Sequence, residues 1–97
     1  MNDKAREALV AAALSGVKQI KFALQDSDGG RCANGVLMEA CTGVAPHQIN
    51  WTTFNPSRFW EWGGLSLKEE DEIVHANNVL GWDFLTIARK IGVNDEG

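Results

Sequence analysis

Basic residues are scarce. The 97-residue chain carries nine Lys and Arg against thirteen Asp and Glu, a formal net charge of −4. An acidic chain is a poor non-specific partner for nucleic acid, so none is expected. Long apolar runs are missing as well. None approaches the ~18–20 residues that span a bilayer, which excludes a membrane helix. Met1 to Lys4 lacks a charged region followed by an apolar stretch, so a secretory signal is not expected and the cytoplasm is the expected compartment. Tyrosine is absent, and the aromatic content is four Trp and four Phe. Only Phe22 lies outside the stretch Trp51 to Phe84. With 44% hydrophobic and 23% charged residues, the chain is globular rather than disordered. Its length suits a single domain over residues 1–97.

Cysteine is limited to Cys32 and Cys41. A helix is expected over 31–42, where Cys32, Ala33, Val36, Leu37, Ala40 and Cys41 repeat at helical period. Two residues nine positions apart on a helix are separated by roughly 13 Å along its axis. A disulfide needs Cα atoms within about 7 Å, so both are expected as free thiols. The small side chains of this helix permit close backbone approach, which makes it the expected central helix.

Other helices are marked by their ends. Asn2 is a plausible cap for a helix over 3–15, with Gly16 just past its end. Asn55-Pro56 opens a brief helix that Gly63-Gly64 stops. Ser66-Leu67-Lys68-Glu69 is a capping box for the next, whose acidic start suits the helix dipole. Asp83 caps the last, which carries Phe84, Ile87, Ala88 and Ile91 and closes at Gly92. A frayed tail is expected from Asn94 to Gly97. Trp60 and Trp62 cannot both face the core from one short helix, because alternate positions point apart.

Two stretches change period. Ile20, Phe22 and Leu24 alternate with polar neighbours, which predicts a half-buried strand over 18–25. Asp26 to Gly30 reads as the turn that follows. Its aspartates do not form a calcium loop, since Leu37 stands where such a loop requires Glu. His47 to Phe54 reads as a second strand pairing with the first. The expected fold is therefore α+β: about five helices around a small antiparallel sheet of two or three strands.

Several residues carry chemistry. Cys32 stands at a helix start, where the dipole favours thiolate. Gln19 precedes it, and His47, His75, Asn77 and Asn78 follow, which is the chain order of papain-like hydrolases. If the chain were an enzyme, Cys32 would be its nucleophile, Gln19 its oxyanion donor and His75 its base. No papain-type local signature surrounds Cys32. Two His and two Cys without paired spacing make no zinc site, so no metal or cofactor is expected. The stretch Leu85 to Val93 has a helix-turn-helix look, but the chain stops before a recognition helix could follow. Asn34, Asn77, Asn78 and Trp82 form the candidate binding cluster, a polar pocket beside Cys32. Trp51 and Trp60 are candidate contacts for a partner or a second copy of the chain.

The residues also carry a resemblance. Its first block is Ser15-Gly16, Gln19 and Leu24, then Cys32 to Leu37. Its second is Asn55-Pro56 with Trp62-Gly63-Gly64-Leu65. Its third is Asn77-Asn78, Gly81 to Phe84, Ile87-Ala88 and Ile91. Over residues 13–91 these resemble a group of small uncharacterised proteins of phages, prophages and bacteria. That group has leucine where this chain has Asn34, and aspartate where it has Asn78. The resemblance implies an accessory role rather than a reaction. The expected function is thus a non-enzymatic binding module, serving host takeover or anti-defence, that engages a host protein or a small signalling ligand, with a homo-oligomer as one form. The alternatives are a hydrolase or transferase using Cys32, and a structural or regulatory subunit of a larger assembly.

Overall fold

The computed structural model describes residues 1–92. Five α-helices follow one another: α1 Asp3–Leu14, α2 Ala33–Thr42, α3 Pro56–Gly63, α4 Leu67–His75 and α5 Phe84–Lys90. A short 3₁₀ turn at Pro46–Gln48 links α2 to α3. α4 runs on into a π-helical turn at Ala76–Leu80. The expected fraying of Asn94 to Gly97 lies outside the described residues.

The helix starts are closed by the residue types expected to close them. Asn2 Oδ1 accepts from the Ala5 N–H, and Asn55 Oδ1 from the Ser57 N–H. Ser66 Oγ accepts from Glu69 N–H, and Asp83 Oδ1 from Thr86 N–H. Each side chain satisfies a donor that the helix cannot satisfy itself. The C-terminal end of α5 is tied from a distance: the Arg6 guanidinium on α1 donates to the carbonyls of Ala88 and Gly92.

α2 is the central helix. Every residue from Ala33 to Met38 is buried. α1 covers it with Ala5, Leu9 and Ala12, three positions on one helical face. Phe59 of α3 and Ile73 of α4 close the other sides, and α5 packs Phe84, Ile87 and Ala88 inward, chiefly against α1. Trp60 and Trp62 are both half-buried, and Trp62 stacks on Phe59 at 6.3 Å between ring centroids.

The expected α+β fold is overturned: the molecule is all-helical, with no sheet among the described residues. Only two isolated bridges occur, both to Arg31, from Gln19 in parallel sense and from Gln25 in antiparallel sense. The segment 18–25 begins as if to extend, since Ile20 N–H donates to Arg31 O and Arg31 N–H to Lys18 O. It then turns back. Phe22 takes φ +63°, the left-handed region, and its ring is 76% exposed. A strand cannot continue through such a residue. The apolar alternation of Ile20, Phe22 and Leu24 therefore does not place the three side chains on one face. The second expected strand, 47–54, is replaced by the 3₁₀ turn and by a tight turn in which Thr53 and Phe54 N–H both donate to Asn50 O. With neither segment extended, there is no ladder to form.

Candidate functional site

The loop of residues 18–30 lies across the N-terminal end of α2, and what fixes it there defines the site. Gly35 is the point of closest approach. A Cβ on Gly35 would sit 2.1 Å from the carbonyl oxygen of Leu24. Only a residue without a side chain lets the loop backbone rest on the helix. The far end of the loop is folded on Asp26, whose carboxylate accepts from the N–H groups of Gly30 at 2.6 Å and Asp28 at 3.0 Å. The Lys18 ammonium stands 3.5 Å from the same group. The Gly30 hydrogen bond is the main reason that this carboxyl is held below the ordinary 3.8.

Asn77, on the π turn, pins the middle of the loop. It is 2% exposed and uses its whole hydrogen-bonding capacity. Oδ1 accepts from Gln19 Nε2 at 2.8 Å and from the Ala33 backbone N–H at 2.9 Å. Nδ2 donates to Ile20 O at 2.8 Å and to Asn78 Oδ1 at 2.9 Å. Asn78 Oδ1 also accepts from the Phe22 N–H at 2.9 Å. The π turn is what lets both neighbours serve one loop. Its wider winding changes the angular step between Asn77 and Asn78, a distortion frequent at functional positions.

Between loop and helices lies a cavity of about 310 Å³, lined by Phe22, Leu24, Cys32, Asn34, Asn77 and Asn78 together with Ala23 and Val74. None of these side chains is an acid or a base at neutral pH. Asn34 is the unusual member. It is 6% exposed, and its Nδ2 donates to Glu70 Oε2 at 3.0 Å. Its Oδ1 has no hydrogen-bond partner. The amide cannot turn over to cure this, because its oxygen would then face the Glu70 carboxylate. Glu70 is itself fixed by the Trp60 indole N–H, which donates to Oε1 at 2.7 Å. A buried acceptor left without a donor costs ~1–3 kcal/mol.

Cys32 is the N-cap of α2, and its Sγ accepts from the Gly35 N–H at 3.3 Å. Both cysteines are free thiols. The expected thiolate is not favoured. Burial pushes the Cys32 thiol above the ordinary 9.0, outweighing the backbone N–H groups of Gly35 and Asn34 that favour the charged form. The papain-like order in the sequence does not assemble in space. The Gln19 amide is engaged by Asn77 and by the carbonyl of Trp82. His75 is exposed and lines a different cavity, of about 570 Å³, beside α4 and α5. His47 meets the loop through its backbone N–H, which donates to Gln25 Oε1. Neither histidine lines the Cys32 cavity.

Of the expected binding cluster, Asn34, Asn77 and Asn78 come together around one cavity, with Cys32 beside them. Trp82 does not join them. Its ring lines the cavity of His75, with Lys90 Nζ 5.2 Å from the ring centroid, and it meets the loop only through its carbonyl. Trp60 stands behind Asn34, through Glu70. Trp51 lies apart, 49% exposed and tilted against Phe54 at 5.1 Å. Three contributors lie outside the sequence expectation: Phe22, which the alternation predicts on a strand, Glu70, which belongs to the acidic start of α4, and Gly35. Of these only Gly35 carried a signal, since a glycine inside a helix commonly has a packing reason.

Among the described residues no group of three His, Cys, Asp or Glu is placed to hold a metal ion, and no helix is long and apolar enough to cross a membrane. Comparison with known proteins gives no match: no family model fits the chain, and neither a curated protein nor a solved structure is similar to it.

Proposed function

We propose that this chain is a non-enzymatic binding module, an accessory protein of the phage type, that holds a small neutral ligand in the cavity beneath the 18–30 loop. The observation that carries the reading is the cavity itself, about 310 Å³ and walled by three amide residues, Asn34, Asn77 and Asn78, with no acid or base among its lining residues. Beside it the Asn34 side chain is buried with its Oδ1 unmatched, which natural interiors seldom allow. The cavity volume lies at the lower end of the range of small-molecule pockets, roughly 300–1,000 Å³. The phage-type role rests on the sequence resemblance alone.

The hydrolase alternative has less support. A nucleophilic thiol needs a base in reach and a depressed pKa. Cys32 has a raised one, acts as a helix cap, and shares its cavity with no histidine. The subunit alternative is disfavoured by a core that α2 fills from within the chain. A host-protein partner is favoured by one observation, the exposed Trp51.

Native mass spectrometry of the full chain tests the reading. The expected result is a co-purified small mass on the wild type that is absent from Asn34→Leu. A wild type that carries no small mass and whose melting temperature responds to no neutral metabolite in a thermal-shift panel overturns it.

A further inference from the structure

Asn34 is followed by Gly35, and no other asparagine of the chain precedes a glycine. Asparagine is a chemically labile residue type, and glycine is its most permissive follower. The backbone nitrogen of the second residue attacks the side-chain carbon Cγ of the first, and a glycine has no side chain to obstruct that approach. The new N–Cγ bond closes a five-membered succinimide. The Cγ–Nδ2 bond breaks, and ammonia leaves with the proton of the glycine N–H. Water, the only co-reactant, then opens the ring at either carbonyl. The product is aspartate or isoaspartate at position 34, one mass unit heavier and one negative charge richer.

In the folded chain each step is blocked. Asn34 and Gly35 are the second and third residues of α2, and both are buried. Helical dihedrals at Asn34 turn the next nitrogen away from Cγ. The Gly35 N–H, whose proton must leave, is held by Cys32 Sγ at 3.3 Å. The Asn34 amide is 6% exposed and tied through Nδ2 to Glu70 Oε2 at 3.0 Å. The loop lies on top, its Leu24 carbonyl 2.1 Å from where a Cβ on Gly35 would be. Attack therefore requires the first turn of α2 to unwind and the 18–30 loop to lift. The product does not fit the space it left. Aspartate places a carboxylate oxygen against Glu70 Oε2, where Nδ2 stood, and Glu70 is held there by Trp60. Two carboxylates sharing a site resist ionising together, and a buried charge without a partner is strongly destabilising. Isoaspartate instead adds a backbone atom to the buried first turn of α2.

We propose that Asn34-Gly35 is a modification site gated by unfolding: it deamidates when the first turn of α2 opens, and the aspartate or isoaspartate formed opposite Glu70 prevents the chain from closing again. The site needs no ligand and no enzyme. Each opening of α2 is a chance to leave the native population permanently, so the working life of the protein is set by a rate as well as by an equilibrium. The burial that keeps the pair inert also makes the change irreversible, since the Glu70 carboxylate that anchors the amide repels the acid.

The full chain is incubated at neutral pH in buffer and in denaturing urea, and residue 34 is followed by peptide mass and isoaspartate content. The expected result is conversion at Asn34 in urea and at least tenfold slower conversion in buffer, the rate at intermediate urea following the unfolded fraction. Equal rates in buffer and urea overturn the proposal, as does the absence of conversion in urea. Asn34→Asp, made directly, tests the consequence. Its urea midpoint at neutral pH is expected well below that of the wild type, and adding Glu70→Gln is expected to recover most of the shift. Glutamine keeps an acceptor for the Trp60 N–H and offers a donor to the aspartate. An Asn34→Asp chain as stable as the wild type overturns the proposal, and so does a loss that Glu70→Gln leaves unrepaired.

Discussion

The side-chain oxygen of Asn77 accepts a hydrogen bond from the backbone N–H of Ala33 at 2.9 Å, across 44 positions of chain. Ala33 is the first residue of α2, and its N–H is one of the donors that a helix start leaves unpaired. The π turn at Ala76–Leu80 thus caps the central helix from outside while holding the 18–30 loop with the same amide. Removing that amide strands the buried Ala33 N–H, frees Ile20 O, and leaves Gln19 Nε2 with the Trp82 carbonyl alone. Asn77→Ala is expected to cost ~3–4 kcal/mol by urea denaturation, more than one hydrogen bond supplies, because several bonds are lost together and Ala33 N–H is left buried without a partner.

Gly35→Ala is expected to destabilise by about 2–3 kcal/mol, although alanine favours a helix over glycine by ~1 kcal/mol. The added methyl would meet the Leu24 carbonyl at 2.1 Å, and both sides of that contact are backbone. The loop must lift. Limited proteolysis should show new cleavage between residues 18 and 30 in the variant, and protection there in the wild type.

Asn34→Leu is expected to act in the opposite direction. The variant deletes an unpartnered acceptor worth ~1–3 kcal/mol of penalty and gives up one hydrogen bond, to Glu70, worth about 1 kcal/mol. A net gain of ~1 kcal/mol by denaturant titration is the expected outcome. A site that becomes more stable when its polar residue is removed is one that holds that residue for something other than folding.

The Cys32 thiol links stability to alkaline pH. Its folded-state pKa is raised above the ordinary 9.0, with burial as the largest cause. The folded protein thus binds this proton more tightly than the unfolded chain does. The resulting stabilisation is complete below the unfolded value and is lost as pH rises through the folded value. Wild type is expected to lose more stability than Cys32→Ser between pH 8 and pH 10, since serine keeps the N-cap acceptor and does not titrate there. Alkylation by iodoacetamide at neutral pH should be slow at Cys32 in the native state and should proceed faster at Cys41, which is less buried.

The helices were legible because each announces itself within a few residues. Asn2, Asn55, Ser66 and Asp83 bond to N–H groups two or three positions on, so chain-local geometry is enough to predict them. The central place of α2 followed from its run of small and apolar residues. The amides at 34, 77 and 78 were visible as polar residues in apolar surroundings, and they meet at one cavity. Trp82 was grouped with them by proximity in sequence. That failed because the left-handed turn at Gly81 precedes it and its ring lies with His75.

Period two at Ile20, Phe22 and Leu24 reports only that a segment could lie half-buried if a partner strand existed. Whether one exists is a non-local fact. Here the backbone of 18–25 finds its partners in Arg31 and in the side chains of Asn77 and Asn78, so it closes as a loop and never needs a ladder. Helix positions, caps and the free state of both thiols were determined by the sequence itself, through interactions that span a turn or two. The pairing of the 18–30 loop with α2 and the π turn, the cavity beneath it and the unpartnered oxygen of Asn34 were decided only in the tertiary structure. These depend on contacts tens of residues apart, where Gly35 permits an approach that no local pattern announces.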